Sequence, residues 1–125
     1  MKTIYISAER SNLSTEQNQL RTLSLQAKLI ELGFNFEVVL GCYREAIADK
    51  PSKEVTFRIK TDNQKEIERL AQGYNQDAIL VQDGSLGTLV DFLNGTQTLI
   101  GKATWTREEP IGCYTYVNGR YLTFK

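Results

Sequence analysis

Apolar and polar positions alternate near both ends of this 125-residue chain, and helical spacing governs two stretches between them. Residues 2–8 (KTIYISA) place Ile4 and Ile6 on one face, with the period of a strand. Ser14, with Gln17 three positions later, makes a capping box and predicts a helix from about Thr15. That helix runs to about Leu32, where Gly33 supplies a left-handed stop. It carries two apolar stripes. Leu20, Leu23, Ala27 and Ile30 form one; Leu25, Leu29 and Leu32 form another, centred on nearly the opposite side. A surface helix needs only one such stripe, so the second must be covered by other parts of the chain or by another subunit.

Residues 34–42 (FNFEVVLGC) predict a second strand. After a loop through Pro51, Val55, Phe57 and Ile59 alternate with Thr56, Arg58 and Lys60 as a third. Thr61-Asp62 is the expected cap of a second helix, with Ile67, Leu70, Ala71 and Tyr74 on one narrow face. Residues 78–82 (AILVQ) are a short apolar strand suited to a central position. Strand-helix-strand-strand-helix-strand is the order of an α+β, ferredoxin-like βαββαβ sandwich. Asp83-Gly84 then turns into residues 86–93, and Asn118-Gly119 between YTYV and RYLTF predicts an added C-terminal β-hairpin. The length suits one domain, 1–125, around a single core. The pattern places residues 94–111 in no element.

Charge and cysteine usage narrow the function. Lys+Arg and Asp+Glu are both 15, giving a formal net charge of zero, which disfavours a nucleic-acid partner held by phosphate contacts. Tyr5 and Phe57, on strands one and three, raise the possibility of an RNA-recognition platform. EVTFRIK lacks the glycine-punctuated, multi-aromatic signature of that module. No apolar run is long enough to span a bilayer and no leader opens the chain, so the expectation is a cytoplasmic protein with no membrane partner. In that compartment Cys42 and Cys113 are expected as free, half-buried thiols. The chain has no histidine, which removes Ser-His-Asp and Cys-His catalysis, the usual general base and almost every zinc site. No metal and no cofactor are expected. Any chemistry must run on carboxylates, tyrosines, backbone groups or the substrate itself.

Gly41-Cys42-Tyr43-Arg44-Glu45-Ala46-Ile47 sets a tyrosine and two opposite charges where the second strand ends, and strand ends are where sites are commonly built. Taken alone, the residues fit better a solvated loop whose Arg44 and Glu45 face water. GCYREAI, however, resembles the signature of the phage-encoded S-adenosylmethionine-cleaving enzymes, long called hydrolases and now understood as lyases. Ser7-Ala8 and Arg10-Ser11-Asn12 resemble that family's SAxRSN segment, and Pro51 with Glu54 its Pro-x-x-Glu. Gln76-Asp77 and Gly112-Cys113 match further family pairs, while residues 83–111 depart. The resemblance implies a lyase, PII-like in build and trimeric, with substrate held between neighbouring subunits of a homotrimer. It further implies an enzyme that depletes the methyl donor needed by some host restriction and methylation systems.

S-adenosylmethionine suits a histidine-free protein, because it carries a sulfonium leaving group and its own nucleophile, the methionine carboxylate. On this resemblance Glu54 binds the substrate ammonium, and Tyr43 packs on the methionine chain or donates to its carboxylate. Gln76, Ser7, Arg10 and Ser11 are candidates for ribose, adenine or carboxylate contacts. The plain alternatives are an exposed edge-strand glutamate for Glu54 and a strand-end core tyrosine for Tyr43. Trp105 could stack on adenine or sit in the core. A non-catalytic PII-like trimer that senses an adenine nucleotide is the competing function; release of methylthioadenosine separates the two.

Overall fold

A computed structural model describes residues 1–43 and 52–125, with Tyr43 and Ser52 as backbone alone. Residues 44–47 of the GCYREAI motif, and Pro51, lie outside the described residues. The chain runs β1 (Lys2–Ile6), α1 (Thr15–Glu31), β2 (Asn35–Tyr43), β3 (Ser52–Thr61), α2 (Gln64–Gly73), β4 (Ala78–Asp83), β5 (Leu86–Asp91), β6 (Thr96–Thr106), β7 (Tyr114–Val117) and β8 (Arg120–Phe124).

Local chemistry explains both ends of α1. The Ser14 hydroxyl accepts from Gln17 N–H at 3.1 Å, and the Gln17 side chain accepts from Ser14 N–H at 3.0 Å. At the other end Gly33 adopts φ +77°, which lets Gly33 N–H reach the Ile30 carbonyl and Phe34 N–H reach the Leu29 carbonyl, both at 3.0 Å. For α2 the cap is Asn63 rather than Thr61-Asp62. Its side chain accepts from Glu66 N–H at 3.4 Å, while Thr61 Oγ1 accepts from Asn63 N–H and Asp62 lies 3.7 Å from the N-terminal ammonium.

The expected ferredoxin-like, PII-like sandwich is not what forms. The strands make a closed antiparallel barrel in the order β1-β3-β2-β7-β8-β6-β5-β4, with β4 returning to pair with β1. An open four-stranded sheet would leave β2 and β4 as edges. Here β7 covers β2 through Leu40–Cys42 against Tyr114–Tyr116, and β5 covers β4 along six residue pairs. Closure gives every strand a neighbour on both sides for at least part of its length, and an eight-stranded barrel leaves an interior just wide enough for side chains or one small ligand. The region that the periodicity left unassigned supplies the long β6. β7 and β8 join through Asn118 and Gly119 at φ +49° and +84°, the paired positive angles of a type I′ turn.

Two apolar layers follow from strand alternation. Ile4, Ile6, Phe57, Ile59, Ile79 and Val81 point outward and are buried beneath Leu25 and Leu29 of α1 and Ile67, Ala71 and Tyr74 of the α2 region. Tyr5, Leu80 and Leu122 point inward, backed by Ile100, Ala103 and Phe124. Tyr5 and Phe57 therefore sit buried in different layers, which rules out the RNA platform those two would have formed. Gly87 has no side chain for a stated reason: a Cβ there would lie 2.4 Å from the Phe124 ring.

Within the barrel a polar chain crosses four neighbouring strands. Glu37 Oε1 accepts from Arg58 Nη1 at 2.6 Å, Arg58 Nε donates to Tyr5 Oη at 3.1 Å, and Tyr5 donates to Gln82 Oε1 at 2.8 Å. Each buried polar group thereby finds a partner. The other stripe of α1 stays uncovered in the single chain, with Leu20, Leu23 and Ile30 68%, 63% and 62% exposed. Among the described residues no helix is long and apolar enough to cross a membrane.

Candidate active site

The barrel opens at the end where β1, β2 and β5 finish and β3, β4 and β7 begin. A cavity of about 740 Å³ occupies that end, within the usual range for small-molecule sites. Its floor is apolar, built from Leu80, Leu122 and Phe124; its mouth is polar. Ser7, Arg10, Ser11, Glu54 and Gln76, dispersed over 70 positions of sequence, all line it. The Tyr43 backbone stands opposite Ser52 in the β2–β3 register, two residue pairs from Gly41 opposite Glu54.

The segment after β1 is tied down from three directions. Asn18 of α1 accepts from Arg10 N–H at 2.9 Å and donates to the Arg10 carbonyl at 3.0 Å. Arg21 Nε donates to the Ala8 carbonyl at 2.7 Å, and its Nη2 donates to the Tyr74 carbonyl behind α2. Gln76 Nε2 donates to the Glu9 carbonyl at 3.0 Å. Arg10 donates to the Asn75 carbonyl and lies 3.5 Å from Asp77. Arg10 and Gln76 thus hold the loop as well as lining the cavity. Ser7 is buried and its hydroxyl accepts from Glu9 N–H at 3.1 Å, whereas Ser11 is exposed at the rim.

The electrostatics are one-sided. Among the described residues, Glu9, Glu54, Asp77 and Asp91 line the cavity with one guanidinium, Arg10. Asp91 is held ionised: the backbone N–H of Asn94, the Asn94 amide and the Leu93 N–H keep its carboxyl below the usual carboxylate range. Such a mouth favours a cationic ligand. Glu9 and Asp91 were not singled out by the sequence, and Asp77 only as part of the Gln76-Asp77 pair, without a role in the site. Glu9 stands at the unspecified position of SAxRSN, and Asp91 becomes a cavity residue only through the turn that joins β5 to β6. Trp105 does not line the cavity; it is 40% exposed on β6, opposite Leu122. Cys42 is buried and Cys113 is exposed at the cavity rim, both as free thiols.

A closed antiparallel barrel with an acid-lined, ligand-sized mouth is the architecture of a small-molecule site that favours a cation. A family model described as the S-adenosylmethionine lyase family matches residues 4–125. The chain belongs to the S-adenosylmethionine lyase family; it is a lyase that degrades S-adenosylmethionine. A search of the curated proteins gave no match.

Two buried tyrosines at this end yield a pH prediction. Burial pushes the Tyr5 hydroxyl up in spite of Arg58 beside it, and the hydrogen bond to Glu109 at 2.7 Å, together with burial, pushes Tyr114 up. A raised folded-state value favours the protonated form. The stability these groups contribute is therefore full below about pH 10 and is lost as pH climbs through their raised values. Tyrosinate absorbance assigned by difference from Tyr5→Phe and Tyr114→Phe should emerge only above the ordinary range, alongside alkaline unfolding. Either residue ionising near pH 10 in protein that keeps its circular dichroism would contradict the burial argument.

Proposed function

We propose that the chain converts S-adenosylmethionine to 5′-methylthioadenosine and L-homoserine lactone by attack of the methionine carboxylate on its own γ-carbon. The carboxylate oxygen forms the new bond to Cγ as the Cγ–S bond breaks. The bonding pair passes to sulfur, which leaves as a neutral thioether. No proton moves, so no general base is needed, in keeping with a chain without histidine. Closing a five-membered ring in place of a bimolecular attack can contribute on the order of 7–11 kcal/mol in favourable intramolecular cases.

The observation that carries this reading is the gathering of Glu54 with Ser7, Arg10, Ser11 and Gln76 around one acid-rich cavity. Sulfonium and ammonium are both cations. Glu54 takes the ammonium through a charge-assisted hydrogen bond and so keeps the methionine chain folded for attack. Arg10 faces the substrate carboxylate, while Ser7, Ser11 and Gln76 serve the ribose and adenine. Tyr43 packs on the methionine chain or donates to its carboxylate. The chain works as a homotrimer with the site completed by a neighbour, a reading supported by the uncovered stripe of α1 and by Leu93, which lines the cavity while 73% exposed. In the cytoplasm of an infected cell, draining the methyl donor would counter host restriction and methylation, and is measured as a fall in the donor pool of expressing cells.

Replacing Glu54 with Gln keeps size and hydrogen bonding but removes the charge. Turnover should fall by about a hundredfold or more with assembly intact, on the scale expected when a positioning contact is lost; unchanged turnover in the assembled variant would remove Glu54 from the mechanism. Light scattering at micromolar concentration should show a trimer that Leu23→Glu dissociates. A stable wild-type monomer would sink the shared-site reading. The reaction type is decided by isotope. Turnover in ¹⁸O water, followed by mass spectrometry, should show an unlabelled side-chain hydroxyl in homoserine after the lactone opens at its acyl carbon. Solvent oxygen at that position would mean that water attacked the γ-carbon and that the enzyme is a hydrolase.

A further inference from the structure

β1 leaves the barrel early. Its ladder with β3 runs from Lys2 opposite Thr61 to Ile6 opposite Phe57, and the chain then turns away where Ser7 Oγ accepts from Glu9 N–H. Continued in the same register, β1 would have set Ala8 beside Val55. Without that rung the Val55 N–H, half-buried beside the cavity, needs another acceptor. It finds one in the Glu9 carboxylate, whose Oε2 accepts from Val55 N–H. One side chain thus takes the place of the missing strand.

Glu9 is itself fixed in place. Its carbonyl accepts from Gln76 Nε2 at 3.0 Å, and the neighbouring Arg10 is anchored to the Asn75 carbonyl and to Asn18. Val55 directly follows Glu54, and Glu54 lines the cavity. The bond from Glu9 therefore sets where the backbone that bears Glu54 lies relative to the mouth.

We propose that Glu9 is a positioning residue for the reaction: by holding Val55 N–H where β1 no longer can, it places the Glu54 carboxylate against the substrate cation. This rests on the reading of Glu54 as the ammonium contact. It makes a claim about reach and acceptor geometry rather than about charge, and two conservative substitutions separate these. Glu9→Gln keeps the length and a carbonyl acceptor but loses the charge. Glu9→Asp keeps the charge but is one methylene shorter.

The test is steady-state kinetics on the assembled variants, with amide hydrogen exchange at Val55 as the second readout. Glu9→Gln should keep Val55 protected and retain more of its kcat than Glu9→Asp, with the charge lost from the mouth read as a raised KM. Glu9→Asp should lose about tenfold to a hundredfold in kcat/KM, as expected for a small misplacement of a contacting group, with faster exchange at Val55. The reverse order, Asp active and Gln inactive, would show that the Glu9 charge acts on the substrate directly and would overturn the proposal. Wild-type kinetics in Glu9→Asp with Val55 unprotected would overturn it too, because the bond would then exist without consequence. Failure of the Glu54 reading looks different: Glu54→Gln would turn over normally whatever the two Glu9 variants do.

Discussion

Closure of the sheet is the constraint on which the rest depends. β2 and β4 would both be edges in the part of the molecule that ends at Asp83, and each would present a row of backbone donors and acceptors to solvent. The C-terminal forty residues pair β5 along β4 and β7 on β2 at Leu40–Cys42, with β6 and β8 bridging between them. A closed sheet has an inside as well as an outside. The outside takes the two helices and the main apolar layer; the inside takes Tyr5, Leu80, Leu122 and Phe124, and is left open at one end as the cavity. An open sandwich would have offered that same strand face to water.

Position at the mouth is set by the loop after β1. Asn18 and Arg21 tie it to α1, Gln76 ties it to the start of β4, and Glu9 ties it to β3. Several residues expected to touch substrate are also part of this framework, so the family's SAxRSN segment and its Gln-Asp pair are physically one unit. The same helix that anchors the loop carries the uncovered apolar stripe. On the trimeric reading, assembly and the geometry of the mouth are joined through α1.

The chemistry proposed for the site asks little of proton transfer and much of geometry. Among the described residues, four carboxylates around a cavity with an apolar floor suit a substrate with two cationic centres. A chain with no histidine is poorly equipped to activate water, and a reaction whose nucleophile is already part of the substrate avoids the need.

Much of this was legible in the linear chain, because the interactions responsible span few residues. The Ser14–Gln17 box, the Gly33 stop and the Asn118-Gly119 turn are each decided within six positions, and the structure has all three. The GCYREAI and SAxRSN segments likewise pointed to the family that the chain matches. The second helix cap moved by one or two residues, since Thr61, Asp62 and Asn63 all have side chains able to accept and only backbone geometry chooses among them. What the tertiary structure alone decided is the barrel. Whether β2 ends as an edge depends on Leu40 meeting Tyr116, 76 positions away, and no periodicity reports a contact of that range. β6 was invisible for a related reason: most of its residues are exposed or half-buried, and Gly101 at φ +125° interrupts the alternation. Glu9 shows the same limit at a single residue. Its neighbours in sequence say only that it is a loop glutamate, and its bond to Val55 exists because β1 stops one rung short.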